Sequence, residues 1–416
     1  MSSDSSRTVL RRGRERKSET PLQPCDNPAD ARGVLLAAVV ISALGALLYN
    51  VLPLFLGAAQ DYRALSEAAA GTLASSFFVG FTFFAASAFF WIHRFNWRSV
   101  TLLAVPVAVA AIMLTGFAGS FPAMIATVFI AGGAFSVMYA IGTAVIADSS
   151  HPSRWFGLKI AAEAAMGALL LALLPGTAIA RWGFEGLMLA LAATIVLASP
   201  LLYGLPKRGS RGVGEMTSKP AEPLSSAMRI SLWFGLLAGA SYIFCTTMTW
   251  SQLERFAAAA GIDAVTTGQV LSLSLLFAMA GSLLAAAMSG RFGLAKPLVL
   301  AGLSILVSLL LLSGTDSVSE YAVAVFLFSL AFGMGIPQFI SIVAFIDLTG
   351  RHVVLTIPAL GIGVLLAPAA GGVLSGWGGF APVLALGGLT ASIAICLAIS
   401  ALRLVRPDSE ISQPAK

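Results

Sequence analysis

Charge is what this sequence has least of. Asp, Glu, Lys and Arg together make up 11% of 416 residues, against 58% hydrophobic ones, and the mean hydropathy is +0.90. Soluble globular domains carry about 25% charged residues, so a water-soluble globule is excluded. Cysteine is almost absent: Cys25, Cys245 and Cys396 stand alone with no CxxC spacing, which leaves neither a disulfide framework nor a zinc motif. Histidine is as scarce. His93, His151 and His352 fall in polar breaks between apolar blocks, without metal-ligand spacing, and read as solvated or gating groups. No cofactor and no metal are expected. No GxxxxGK[ST] loop occurs, so direct ATP drive is not expected, and no His, Asp and Glu cluster of the kind a membrane enzyme needs is present.

What the chain does have is apolar blocks of about 20 residues, each long enough to cross a bilayer as a helix that satisfies its own backbone. The ten-residue alternation of a membrane barrel is missing. Hydropathy places twelve spans at roughly 33–57, 66–92, 99–118, 121–147, 156–180, 183–204, 230–251, 265–289, 296–314, 319–346, 353–376 and 380–404. The expected fold class is an all-α polytopic membrane protein of twelve transmembrane helices in two pseudo-symmetric six-helix halves, 33–204 and 230–404. A basic linker (205–229) joins them, and polar tails flank them, a disordered one at 1–32 and a short one at 405–416.

The basic residues orient this array. With the N-terminus inside, 22 of the 25 Lys and Arg fall on the inner side and only Arg63, Arg181 and Arg255 on the outer, the positive-inside pattern of a multi-pass plasma-membrane protein with both termini cytoplasmic. The net charge of +6 is therefore topological, and a nucleic-acid partner is not expected. A first block that reads as an uncleaved span, together with short loops, suits a bacterial inner membrane. The two halves also repeat. Asp148, Arg154, Gly167, Pro175-Gly176 and Trp182-Gly183-Phe184 are followed, 193 to 199 residues later, by Asp347, Arg351, Gly361, Pro368 and Trp377-Gly378-Gly379-Phe380.

Twelve spans, a basic central loop and this repeat resemble the major facilitator superfamily of transporters over residues 33–404. The family's loop motif between helices 2 and 3, approximately GxxxDRxGRR, corresponds to Phe89 through Arg98, which keeps Arg94 and Arg98 but neither glycine nor the Asp. Its second copy, Gly290-Arg291-Phe292-Gly293, keeps the Arg and a Gly. The resemblance implies a secondary active transporter that moves a small organic solute by alternating access, with proton coupling common in the family. Uptake by symport and efflux by antiport both stay open, because helix 4 lacks the family's coupling Arg ahead of Gly132 while helix 11 carries the glycines of exchangers. A transport-inactive membrane sensor is the remote alternative. A small-molecule substrate, protons and the bilayer are the expected partners, and a monomer is the expected state.

The resemblance makes helices 1, 4, 7 and 10 line the cavity, where the polar residues are Tyr49, Asn50, Ser136, Tyr139, Tyr242, Thr246, Trp250, Gln338 and Ser341. Each is a candidate substrate contact or an interhelical hydrogen bond. Glu163 reads as the one ionisable residue well inside a span, about 10 Å from its start near 156. It is either a proton carrier or counter-charge, or the interfacial partner of Lys159 one turn earlier. Arg94, Arg98, Asp148, Arg154, Arg291, Asp347 and Arg351 sit at cytoplasmic helix ends, as gate latches or as solvated topology-fixing charges. With no Lys or Arg at mid-membrane, a neutral, amphipathic or cationic solute is favoured. The alternatives are drug/proton antiport and uptake of an organic monocarboxylate, which Arg255 would receive from outside.

Overall fold

The computed structural model describes residues 30–92, 94–150, 152–208, 226–346 and 356–409, and among these there is no strand. The helices in the first part of the chain are α1 (Arg32–Gly45), α2 (Leu47–Asn50), α3 (Leu52–Arg63), α4 (Glu67–Trp91), α5 (Trp97–Gly116), α6 (Phe121–Ala147), α7 (Pro152–Leu173) and α8 (Ala180–Ala198). Beyond the central linker come α9 (Ser226–Ala259), α10 (Ala264–Phe292), α11 (Ala295–Leu312), α12 (Val318–Ile346), α13 (Thr356–Gly378) and α14 (Phe380–Ser409). Side-chain caps start several of them. Ser66 accepts from Ala69 N, and Asn96 from Arg98 N and Ser99 N. Asp263 accepts from Val265 N and Thr266 N, and its bond from Thr266 holds its carboxyl below the usual range.

Ten helices among the described residues are long and apolar enough to cross a membrane. One of them runs 51 residues, from Arg154 to Gly204; as a straight helix it would be about 75 Å long, more than twice the ~30 Å hydrocarbon core. It breaks at Gly183, whose φ of 58° and ψ of −138° lie in a region that only glycine enters freely. Gly379, with φ of 68°, sits between α13 and α14 in the same way. The recurring Trp-Gly-Phe signature thus marks two backbone breaks. The twelve-span expectation counts both arms of the 51-residue segment and adds the interrupted rod α1–α3.

That rod is interrupted for a chemical reason. Pro53 has no N–H, so Tyr49 O, four residues earlier, loses its helical donor. The helix restarts after Val51 with the proline in its first turn, where the missing donor matters least.

Close backbone contacts hold the helices together. In the α4·α6 pair, Gly80 packs on Phe129 O and Gly132 on Phe77 O. In the α10·α12 pair, Gly281 packs on Leu330 O and Gly333 on Ala278 O, each 201 residues after its counterpart. Between helices in lipid, where apolar side chains gain nothing over acyl chains, such approaches supply the packing energy. Two further pairs, α4 against α13 and α7 against α10, bring the earlier and later helices together. A Cβ at Gly80 or Gly333 would press into a carbonyl, so Gly80→Ala and Gly333→Ala should each cost about 1–3 kcal/mol and lower the melting temperature in detergent. Gly119→Ala, with no atom within 4 Å, is the control, and equal melting of all three would contradict this packing.

Candidate functional site

α7 carries the most unusual chemistry in the interior. Lys159 and Glu163 lie one turn apart, with Nζ 2.7 Å from Oε1. Lys159 is 3% exposed and the Glu163 side chain 13%. Because α7 begins at Pro152, Glu163 is about 16 Å along it. This corrects two expectations. Lys159 is a buried cation inside a span and not a loop charge, and the interior does hold a Lys. A lone charge at such depth costs roughly 3 kcal/mol or more, whereas a pair presents no net charge.

The neighbours of the pair come from α6 and the α1–α3 rod. Lys159 Nζ stands 3.8 Å from the centroid of the Tyr139 ring, a cation–π contact, and the Tyr139 ring lies tilted at 60° to Phe81 with centroids 5.9 Å apart. Asn50 Nδ2 donates to Glu163 O at 2.9 Å, and Gly167, one turn on, lets the Asn50 side chain approach α7 closely. Ser136, three residues before Tyr139, is buried with its Oγ unpartnered by protein among the described residues. Tyr49, Asn50, Thr246 and Trp250 also line a cavity of about 40 Å³ with Leu275, Ala278, Phe328, Ser329 and Phe332. Four of the candidates therefore share one small chamber, one side of which is tied by Asn50 to the backbone carbonyl of Glu163.

Other candidates are engaged structurally. Tyr242 is buried, donates to Ala331 O at 2.6 Å, and stacks at 4.7 Å on Phe339, so it joins α9 to α12. Thr246 and Ser341 donate within their own helices, to Tyr242 O at 3.0 Å and Pro337 O at 2.7 Å. Gln338 is buried on α12. Pro337 frees Gly333 O, which accepts from Ser282 Oγ on α10 at 2.9 Å.

A second constellation, at the end of the bundle away from the basic loops, was not foreseen. Trp250 Nε1 donates to Tyr49 O at 3.0 Å, filling the carbonyl that Pro53 leaves free. One and a half turns on, Arg255 forks onto Asp61 at 2.9 and 3.1 Å and is held by Glu254, with Nε 2.5 Å from Oε2. Arg255 is thus occupied, which removes the reading that it waits for a carboxylate from solution. Tyr321 OH donates to Leu253 O at 2.9 Å, and Ala369 N donates to Ser75 Oγ at 3.0 Å. Arg63 pairs with Glu185 at 3.1 Å and donates to Gly116 O. Asp61 and Arg255 are 194 residues apart, and Tyr49 and Trp250 are 201 apart. These are repeat-equivalent positions, so opposite charges at matching places in the two copies were the available sequence signal.

At the opposite end the expected latch residues are dispersed. Arg94, Arg154 and Arg291 are exposed, and Arg98 donates to Tyr203 O. Asp148 caps the end of α6. Asp347 and Arg351, like the three histidines, lie outside the described residues.

A family profile described as Major Facilitator Superfamily matches residues 34–357. The chain belongs to this superfamily. Solved structures of the same architecture include the nucleoside transporter NupG, 14% identical with a TM-score of 0.66, the match covering 90% of this chain and 99% of that one. A bacterial homologue of the human lysosomal transporter Spinster, solved inward-facing and unoccupied, is 15% identical with a TM-score of 0.62, covering 89% and 94%. No curated protein sequence matches significantly. At these identities the structures show the fold.

Removing one member of a buried ion pair strands the other, at a cost of about 3–5 kcal/mol, while replacing both is near neutral. Lys159→Met in this superfamily member should therefore lower the melting temperature strongly, and Lys159→Met with Glu163→Leu should recover most of it. Additive losses in the double variant would mean the two residues do not act as a pair.

Proposed function

We propose that this chain is a proton-coupled secondary transporter of a small organic solute, working by alternating access and seen here with the end away from its basic loops sealed. The observation that carries this reading is the buried Lys159–Glu163 pair beside Asn50 and the aromatic chamber. Glu163 is a buried carboxylate whose own backbone carbonyl accepts from Asn50, a residue of that chamber's wall. Its charge is balanced by Lys159 when ionised and removed when a proton arrives, so the pair can change charge state without leaving an ion alone in lipid. The chamber is lined by rings, an amide and hydroxyls. Such a lining fits a neutral or amphipathic, ring-bearing solute that stacks and exchanges a few hydrogen bonds.

A second reading rests on Lys159. A buried cation supplies what an organic monocarboxylate needs, and a substrate carboxylate displacing Glu163 from Lys159 would leave Glu163 to take the proton. On either reading Lys159 and Glu163 work together, and the direction of transport follows from whether substrate and proton bind together or in turn.

The sealed end supports alternating access. The bonds that join the earlier and later helices there are individually weak: an Arg255–Asp61 pair with the aspartate 54% exposed, worth about 1 kcal/mol or less, and single hydrogen bonds of about 1 kcal/mol. Glycine contacts occur within each set, at Gly80, Gly132, Gly281 and Gly333, and also between the sets, where Gly71 of α4 packs on Pro368 O and Gly372 of α13 on Glu67 O. Opening of this end breaks these few bonds and shifts α4 against α13, while each set moves as a body. The linker 205–229 then tethers the two sets, and the charges Arg94, Asp148, Arg154, Arg291, Asp347 and Arg351 meet when the basic end closes, while Arg98 stays on Tyr203 O. The basic end lies in the cytoplasm of a bacterial inner membrane, and the unit is a monomer.

Reconstituted protein should accumulate substrate only under an imposed proton gradient, and Glu163→Gln should abolish gradient-driven accumulation while retaining exchange of substrate for substrate. Normal accumulation with unchanged pH dependence in Glu163→Gln would remove the proton-carrier role. A disulfide between cysteines at 61 and 255, in a background freed of Cys25, Cys245 and Cys396, should stop transport until reduced. Undiminished flux in the oxidised form would contradict the opening of that seam.

A further inference from the structure

A second cavity, of about 180 Å³, lies far from the chamber, between α5 and the last turns of the α8 arm at the basic end. It is lined by Arg98, Thr101, Leu102, Val105, Pro106, Ser199, Leu202 and Tyr203. The walls are apolar and face outward. Leu102 is 54% exposed and Tyr203 65%, which in a membrane means contact with acyl chains. At its mouth the charge is of one sign. Arg98 heads the groove, Trp97 N donates to Lys207 O at 2.9 Å and so brings the 207–208 segment alongside, and Arg94, Lys207 and Arg208 are exposed there. No Asp or Glu occurs in 94–108 or 196–208.

Arg98 is the decisive residue. One terminal nitrogen is engaged by Tyr203 O, but its Nε is buried and has no acceptor among the described residues. A buried guanidinium N–H without an acceptor is costly, and a planar fork of donors suits a phosphate better than any neutral group. We propose that this groove is a binding site for one anionic phospholipid of the basic-side leaflet, with the phosphate on Arg98 and one acyl chain laid between α5 and α8. Lys207 and Arg208 add long-range attraction for the negative head group. The lipid would splice α5 to the α8 arm at an end where only the Arg98–Tyr203 and Trp97–Lys207 bonds join them among the bonds described.

The test uses the purified full chain with phosphatidylglycerol or phosphatidylcholine, read by native mass spectrometry and by melting temperature. One phosphatidylglycerol should remain bound and raise the melting temperature over phosphatidylcholine. Arg98→Gln should lower retention about tenfold. Leu102→Trp, which fills the groove and keeps Arg98, should lower it as well, so the proposal does not depend on the arginine variant folding. Equal retention of both lipids, or wild-type retention of phosphatidylglycerol in both variants, would overturn it. Displacement of the lipid by excess glycerol phosphate would also overturn it, by showing a site for a small phosphate and not for a lipid.

Discussion

A carbonyl that lipid cannot hydrate must find a donor inside the protein, and this constraint governs where the helices of this chain break and what they touch. Pro53 strips Tyr49 O of its helical partner, and Trp250 of α9 supplies the replacement. Pro337 does the same to Gly333 O, and Ser282 of α10 answers. The two solutions differ in kind. The second lies between α10 and α12, which also share reciprocal glycine contacts. The first joins the α1–α3 rod to α9, as the Arg255–Asp61 pair also does, between helices of the earlier and later parts of the chain. One proline thus adds a bond within the later helices, and the other adds one between earlier and later helices.

The same division of labour runs through the charged residues. Lys159 and Glu163 are buried, close and on one helix, so neither can leave the other without a large penalty. Asp61 is half in water and Arg255 keeps Glu254 as a second partner, so their separation strands neither charge. The interior pair is suited to changing protonation state with its geometry fixed. The peripheral pair is suited to changing geometry with its charges fixed. A transporter needs both, at different depths.

Much of this was legible in the sequence, because lipid makes helices declare themselves through hydropathy and repeats declare themselves through offset. The Asp-Arg-Gly-Pro-Trp-Gly-Phe recurrence correctly marked matching backbone breaks at Gly183 and Gly379. Glu163 stood out by its depth, and Lys159 was visible at helical spacing from it, but one-dimensional spacing does not report that α6 and its Tyr139 ring would cover the lysine. Tyr242 looked like a chamber residue by face and spacing; its hydroxyl instead reaches Ala331 O, a contact set by the crossing of α9 and α12. Asp61 was missed altogether, since its meaning comes from Arg255, 194 residues away, and from the pseudo-symmetry that places equivalent helix ends together.

In the proposed cycle two sets of helices rock about a seam, opening one end as the other closes. Its most direct test is pulsed spin–spin distance measurement in liposomes on two label pairs, Tyr62 with Gly261 at the sealed end, and Arg94 with Arg291 at the basic end, all exposed positions. Acidification on the side of the sealed end, with substrate present, should lengthen the first distance and shorten the second in the same fraction of molecules. Distances that stay fixed, or that lengthen together, would contradict the account.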